Sequence, residues 1–128
     1  MIVLDTHAWL WWQTAEDKLS ERALTAIHGA EQIGVCTASC YEIARAAKRG
    51  RIRLDRDVRT WVRQALAVDR VEELRLTSGI AATAGVLGDD FPGDPVDRMI
   101  YATAKHHGAF LVTRDRALRA AAPELTVW

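Results

Sequence analysis

The sequence predicts an α/β fold: a mostly parallel sheet with helices packed on both faces. Two observations carry this. Short apolar runs of strand character alternate with stretches of helical periodicity from end to end, and 128 residues suit one domain, spanning 1–128, with a single core. Right-handed crossovers should join the strands.

Each element has its own local signal. Ile2-Val3-Leu4 reads as a buried strand, and Asp5-Thr6 caps a helix from His7 to Trp12. Ser20 caps a second helix to about His28, with Leu19, Ala23, Leu24 and Ile27 on one face. Ile33-Gly34-Val35 is the second strand. Ser39-Cys40-Tyr41-Glu42 has the form of a capping box, in which the serine hydroxyl accepts from the glutamate N–H and the glutamate carboxylate from the serine N–H. Cys40, Ile43, Ala44 and Ala47 continue this helix until Gly50. Beyond a loop around Ile52 and Leu54, Val58, Trp61, Val62, Ala65 and Leu66 repeat with helical period, and Val71 to Leu76 reads as a strand. Thr77 or Ser78 starts a helix through Leu87, which the turn formers from Gly88 to Gly93 interrupt. Asp94-Pro95 is an N-cap followed by proline at the first helical position, with Val96, Met99, Ile100, Thr103 and His107 along one face. Ala109 to Val112 is the most apolar strand, Asp115 to Ala121 a short helix, and Leu125 to Val127 the last strand.

Seventeen Lys and Arg balance seventeen Asp and Glu, so no global field draws in a polyanion, and any such partner must be gripped locally. Cys36 and Cys40 are too few and too close for a secreted disulfide framework. No leader and no apolar stretch of bilayer length is recognised. A soluble protein of the reducing cytoplasm, with no membrane partner, is the expectation.

Five acids stand at positions where α/β folds place function. Asp5 follows the first strand, Glu42 falls in the first turn after the second, Asp94 and Asp97 open the long helix, and Asp115 lies three residues beyond Val112. Taken singly, each has an ordinary explanation as a helix cap or a first-turn acid facing the helix dipole. Ligands in such folds gather outside the carboxyl ends of the strands, however, and Asp94 and Asp97 would join the others if their helix begins on that edge. Carboxylates about 4 Å apart repel by roughly 4 kcal/mol at an effective dielectric of 20. Either raised pKa values or a hard divalent cation must neutralise them, and an all-oxygen set favours Mg²⁺ or Mn²⁺. The natural chemistry is metal-assisted phosphodiester hydrolysis.

The blocks LDTHAWLWW, SCYEIA, DPVDRMIYATA and LVTRDRAL, in this order and at these separations, resemble a PIN-domain ribonuclease, and more closely a VapC-type toxin of a bacterial type II toxin-antitoxin system. The resemblance spans nearly the whole chain. It implies a PIN-like three-layer fold with a central five-stranded sheet, a Mg²⁺ or Mn²⁺ site, endonucleolytic cleavage of RNA leaving a 5′-phosphate and a 3′-hydroxyl, and a cognate antitoxin as partner. Asp5, Glu42, Asp97 and Asp115 match the family's acidic quartet. Asp5 and Asp97 would hold the metal most directly, and Glu42 and Asp115 would position or deprotonate its water. Asp94 is a cap, a supporting group or an alternative ligand. Thr6, Ser39 and Thr113 adjoin the acids and could orient them or a water, or serve only as turn and cap hydroxyls. Gly93 stands where many relatives carry a histidine.

Arg45, Lys48, Arg49, Arg51 and Arg53 form a basic strip without an intervening acid. It reads either as a solvated helix end or as a grip on RNA phosphates. Arg98 and Arg114, each beside a quartet acid, could bind RNA or pair with acids. Trp9, Trp11 and Trp12 cannot all face the core of one helix, so at least one should lie near the surface, where it could join an antitoxin contact or a homodimer. His7 adjoins Asp5. His106 and His107 with Cys36 and Cys40 match no zinc spacing. Two other functions remain open: a catalytically silent domain binding RNA or protein, and a haloacid-dehalogenase-type phosphatase with Asp5 as nucleophile. The phosphatase would need an acid where this chain has His7.

Overall fold

A computed structural model describes all 128 residues. The elements run β1 (Ile2–Leu4), α1 (Thr6–Thr14), a 3-10 turn (Glu16–Lys18), α2 (Glu21–Gly29), β2 (Ile33–Cys36), α3 (Thr37–Lys48), α4 (Val58–Leu66), β3 (Val71–Leu74), α5 (Ser78–Gly85), α6 (Pro95–His106), β4 (Phe110–Val112), α7 (Arg116–Ala121) and β5 (Thr126–Val127). All five strands pair in parallel, in the order β3-β2-β1-β4-β5. The expected α/β architecture, a central five-stranded parallel sheet with helices, is present.

Strand alternation sorts the side chains into two layers. Ile2, Leu4, Ile33, Val35 and Val112 join Trp9, Ile27, Trp61 and Ala65 from α1, α2 and α4 in the larger cluster. Val3, Cys36, Leu74 and Leu111 join Ile100 and Ala104 of α6 in a second cluster, and Ile80 and Ala84 of α5 pack on Ala102. Trp9 is wholly buried, its ring 5.1 Å from that of Trp61, while Trp11 and Trp12 are half-buried. The three tryptophans thus divide between core and periphery as helical spacing requires.

The strand order positions the site. From β1 the chain builds outward through β2 and β3, then returns by α5 and α6 to lay β4 on the opposite side of β1. The topological switch therefore falls between β1 and β4, where α/β sheets open a crevice at the strands' carboxyl ends. Asp5 and Asp115 follow these two strands. α3 packs against both α1 and α6, which brings Glu42 and the start of α6 to the same edge.

One local expectation fails. No capping box forms at Ser39, because the helix begins two residues earlier. β2 pairs with β3 through Cys36 and the chain enters α3 directly, with no side-chain cap at Cys36. The Thr37 hydroxyl instead accepts from the Leu76 N–H at 3.1 Å, just beyond β3. Ser39 thus lies inside α3, fully buried, with a hydroxyl that has no hydrogen-bond partner. Smaller differences fall at element ends: β3 stops at Leu74 and α5 at Gly85.

Candidate active site

Three helix N-termini bring a carboxylate to one edge. Asp5 Oδ1 accepts from the Ala8 N–H at 2.7 Å, Asp94 Oδ1 from the Asp97 N–H at 3.0 Å, and Asp115 Oδ1 from the Leu118 N–H at 2.9 Å. Each is the cap that the sequence suggested, and each uses a single oxygen for it. Asp97 comes from the first turn of α6 and Glu42 from the interior of α3. Because α3 starts at Thr37, Glu42 lies well beyond the first-turn N–H groups that it was expected to cap. Oxygens of Glu42, Asp94 and Asp97 all lie within 4.8 Å of one another. All five acids line one cavity of about 770 Å³, together with His7, Trp11, Arg51, Arg114 and Arg116.

The electrostatics record the crowding. Burial, then the charges of Asp94, Glu42 and Asp115, push the Asp97 carboxyl up to about 7. Burial also raises Asp5, against the opposing effects of hydrogen bonds from Thr113 and Ala8 and of nearby His7. Thr113, fully buried, ties two acids together: its hydroxyl oxygen accepts from the Asp115 N–H at 3.1 Å, and the group faces the Asp5 carboxylate. The Thr6 and Ser39 hydroxyls are buried without partners. Although Arg51, Arg114 and Arg116 share the cavity with five acids, none pairs with them; the one salt bridge in the chain joins Arg56 to Asp55 on an exposed loop. The acids remain available to a cation and the arginines to an anion.

The basic strip divides. Arg45, Arg49 and Arg51 line a cleft that shares Glu42 and Asp94 with the acidic cavity. Lys48 is exposed but lines neither, and Arg53 faces a separate cleft with Arg56. Arg98 pairs with no acid. Its Nε donates to the Ala84 carbonyl at 3.3 Å and its Nη2 to the carbonyls of Leu87 and Gly88, so it closes the end of α5 and the following loop. Arg116 joins the cavity without having been singled out, and its signal was its place directly after the Asp115 cap. Burial pushes the thiols of Cys36 and Cys40 up to about 12 and about 11, and no cysteine or histidine belongs to the one cluster able to hold a metal. Gly93 has φ +97, and a Cβ there would stand 2.8 Å from Asp97 Cβ, so glycine lets the loop pass close to this acid.

Comparison with known proteins agrees with this arrangement. The PIN domain family model matches residues 2–123. The chain is 42% identical over 118 residues to Ribonuclease VapC22 of Mycobacterium tuberculosis (strain ATCC 25618 / H37Rv), covering 92% of this chain and 89% of that protein. Among solved structures, a toxin-antitoxin complex from Klebsiella pneumoniae matches with a TM-score of 0.72 at 20% identity, covering 100% of this chain and 97% of that one. Mycobacterium tuberculosis VapC20, described as a sarcin-ricin loop cleaving toxin, matches with a TM-score of 0.71 at 16% identity, covering 94% and 95%. The structural matches reproduce the fold, and the family-model match extends across the strands and helices that carry all five acids. The chain belongs to the PIN-domain family and, within it, to the VapC group.

Proposed function

We propose that this protein is a divalent-cation-dependent endoribonuclease and the toxin of a type II toxin-antitoxin pair. One observation carries the reading: Asp5, Glu42, Asp94, Asp97 and Asp115 converge on one cavity beside arginines that leave them unpaired. The donor set suits a hard cation, since oxygens of Glu42, Asp94 and Asp97 lie within 4.8 Å of each other, and burial followed by mutual repulsion already raises Asp97. Asp5 and Asp97 would hold Mg²⁺ or Mn²⁺ most directly, with Glu42 and Asp115 reaching it directly or through water. When bound, the ion supplies charge to the scissile phosphate and a more acidic water.

The chain's own groups do the remaining work. Glu42 or Asp115 accepts a proton from the attacking water, whose oxygen bonds to phosphorus as the P–O3′ bond breaks; the departing 3′-oxygen takes a proton from solvent, which leaves a 5′-phosphate and a 3′-hydroxyl. Thr113 keeps Asp5 and Asp115 in register, and the unpartnered Thr6 and Ser39 hydroxyls orient water or carboxylate. Arg45, Arg49 and Arg51 hold flanking phosphates.

The partner we infer is a cognate antitoxin. An apolar groove between α3 and α4, lined by Cys40, Tyr41, Ala44, Val58, Val62 and Leu66, offers it a surface on which Tyr41 is 61% exposed. A homodimer is the assembly we propose, and Val86, 83% exposed after α5, is the apolar side chain most open to such a contact. No helix is long and apolar enough to cross a membrane, and the two free cysteines suit a reducing cytoplasm, where we place its action. A phosphatase lacks support, because residue 7 is an exposed histidine where that chemistry needs an acid.

The test is RNA cleavage by purified protein in Mn²⁺ or Mg²⁺ against chelator. Asn caps a helix as well as Asp, so Asp5→Asn should fold and yet cut no RNA. Robust cleavage by that variant in chelator would overturn the mechanism, and a folded wild-type protein that cuts no RNA in either cation would favour the silent binding module.

A further inference from the structure

The cavity has a second wall that the hydrolytic chemistry does not use. His7 and Trp11 lie one turn apart on α1 and line the same cavity as the acids. Their rings are 5.5 Å apart and inclined by 51°, and the ring of Trp128 lies 6.1 Å beyond Trp11. His7 is exposed and the Trp11 indole half-buried, so the wall is anchored on the core yet open to the cavity. Two cations attend the indole: the Arg114 guanidinium carbon is 5.6 Å from its centroid and Lys18 Nζ is 6.0 Å away. Arg114 immediately precedes Asp115, but it takes the aromatic face and no carboxylate. Its charge therefore stays unneutralised beside the site.

An aromatic wall with a stacked arginine, next to carboxylates that address a phosphate, has the chemistry of a single-strand nucleic-acid subsite. Bases stack on aromatic planes whatever their sequence, and adjacent cations follow the backbone. We propose that the His7–Trp11 wall takes, by stacking, an unpaired base next to the scissile phosphate, and that Arg114 holds the neighbouring phosphate. This rests on the nuclease reading and deepens it. Bases inside a duplex are already stacked on one another, so the subsite selects loops and single strands.

The experiment is a cycle between residue and base. The cut site is mapped on bulk cellular RNA with Mn²⁺, and a short single-stranded RNA spanning it is made intact and with an abasic nucleotide at each position flanking the cut. For the wild-type protein, one abasic position should lower kcat/KM about tenfold, the scale of one stacked base. His7→Ala, an exposed site, and Trp11→Phe, which keeps an aromatic ring on the core, should each cut the intact RNA more slowly and lose most of the further abasic penalty. A wall with only a structural role would slow both RNAs by the same factor. Equal abasic penalties in wild type and both variants, or none at any flanking position in the wild type, would overturn the subsite and leave the nuclease reading standing. Failure of the wild-type protein to cut RNA in either cation would overturn both.

Discussion

Replacing Asp97 by asparagine in the metal-free protein removes a charge that burial, and then the neighbouring acids, disfavour. The change keeps the side chain's shape and spares the cap, since Asp94 receives the backbone N–H of residue 97 and not its side chain. In the folded chain the Asp97 carboxyl is raised from 3.8 to about 7, first by burial and then by Asp94, Glu42 and Asp115. A group raised on folding contributes stability that is complete below its unfolded pKa and lost as pH rises through the folded value. The metal-free wild-type protein should therefore lose stability between about pH 4 and pH 7. At 1.36 kcal/mol per unit the ceiling is about 4 kcal/mol, and solvent screening at a group partly open to water reduces it to about 1–2 kcal/mol. In chelator at pH 7.5, Asp97→Asn should be the more stable protein by that amount in urea unfolding, and the gap should close near pH 4. Saturating Mn²⁺ should reverse the order, because an ion at a hundred times its Kd adds about 2.7 kcal/mol to the form that binds it. A variant less stable than wild type in chelator at pH 7.5, or a gap that does not change with pH, would refute the reasoning.

Two further outcomes probe the loop and the cleft. Gly93→Ala places a Cβ 2.8 Å from Asp97 Cβ at a backbone position with φ +97, so Asp97 must shift; cleavage should fall by at least tenfold, on the order of what a misplaced catalytic group costs, while the far-ultraviolet circular dichroism stays native. Arg49→Ala with Arg51→Ala removes two cations of the cleft that adjoins the acids, and the log–log salt slope of single-strand RNA binding should flatten by about 0.7 for each phosphate that is no longer neutralised. An unchanged slope in filter binding would mean that the strip is only a solvated face.

The caps were legible because they are local: Asp5, Asp94 and Asp115 each accept an N–H from three residues on, a pattern contained within four letters. The S-x-x-E pattern at Ser39 was equally local and misled. It specifies a spacing but not where the helix starts, and α3 starts at Thr37, directly after the last β2 residue paired with β3. Arg98 was beyond reach for a different reason, since its partners in α5 and the loop lie ten to fourteen residues back and only tertiary packing brings them near. The convergence of the acids was inferred from their family likeness and their places after strands. What the residues could not show was that β1 sits at the centre of the sheet with β4 beside it, the arrangement that joins Asp5 to Asp115.

The local and tertiary levels meet in the way the acids are held. A capping carboxylate and a metal-binding carboxylate look like competing explanations, yet Asp5, Asp94 and Asp115 can serve both roles, because a cap uses only one of a carboxylate's several lone pairs. The positive end of each helix also offsets part of the repulsion that five acids generate in one cavity. Asp97 and Glu42 cap no helix; the Asp97 carboxyl, buried and set among Asp94, Glu42 and Asp115, rises to about 7, and burial raises Asp5 as well despite its cap. The fold can thus keep the cluster assembled before any cation arrives, with the remaining cost falling on Asp97 and Asp5. Asparagine at a capping position should therefore remove charge while keeping the helix start, whereas alanine should remove both. If Asp115→Ala and Asp115→Asn prove equally stable toward urea, the cap contributes nothing and this account of the assembled site fails.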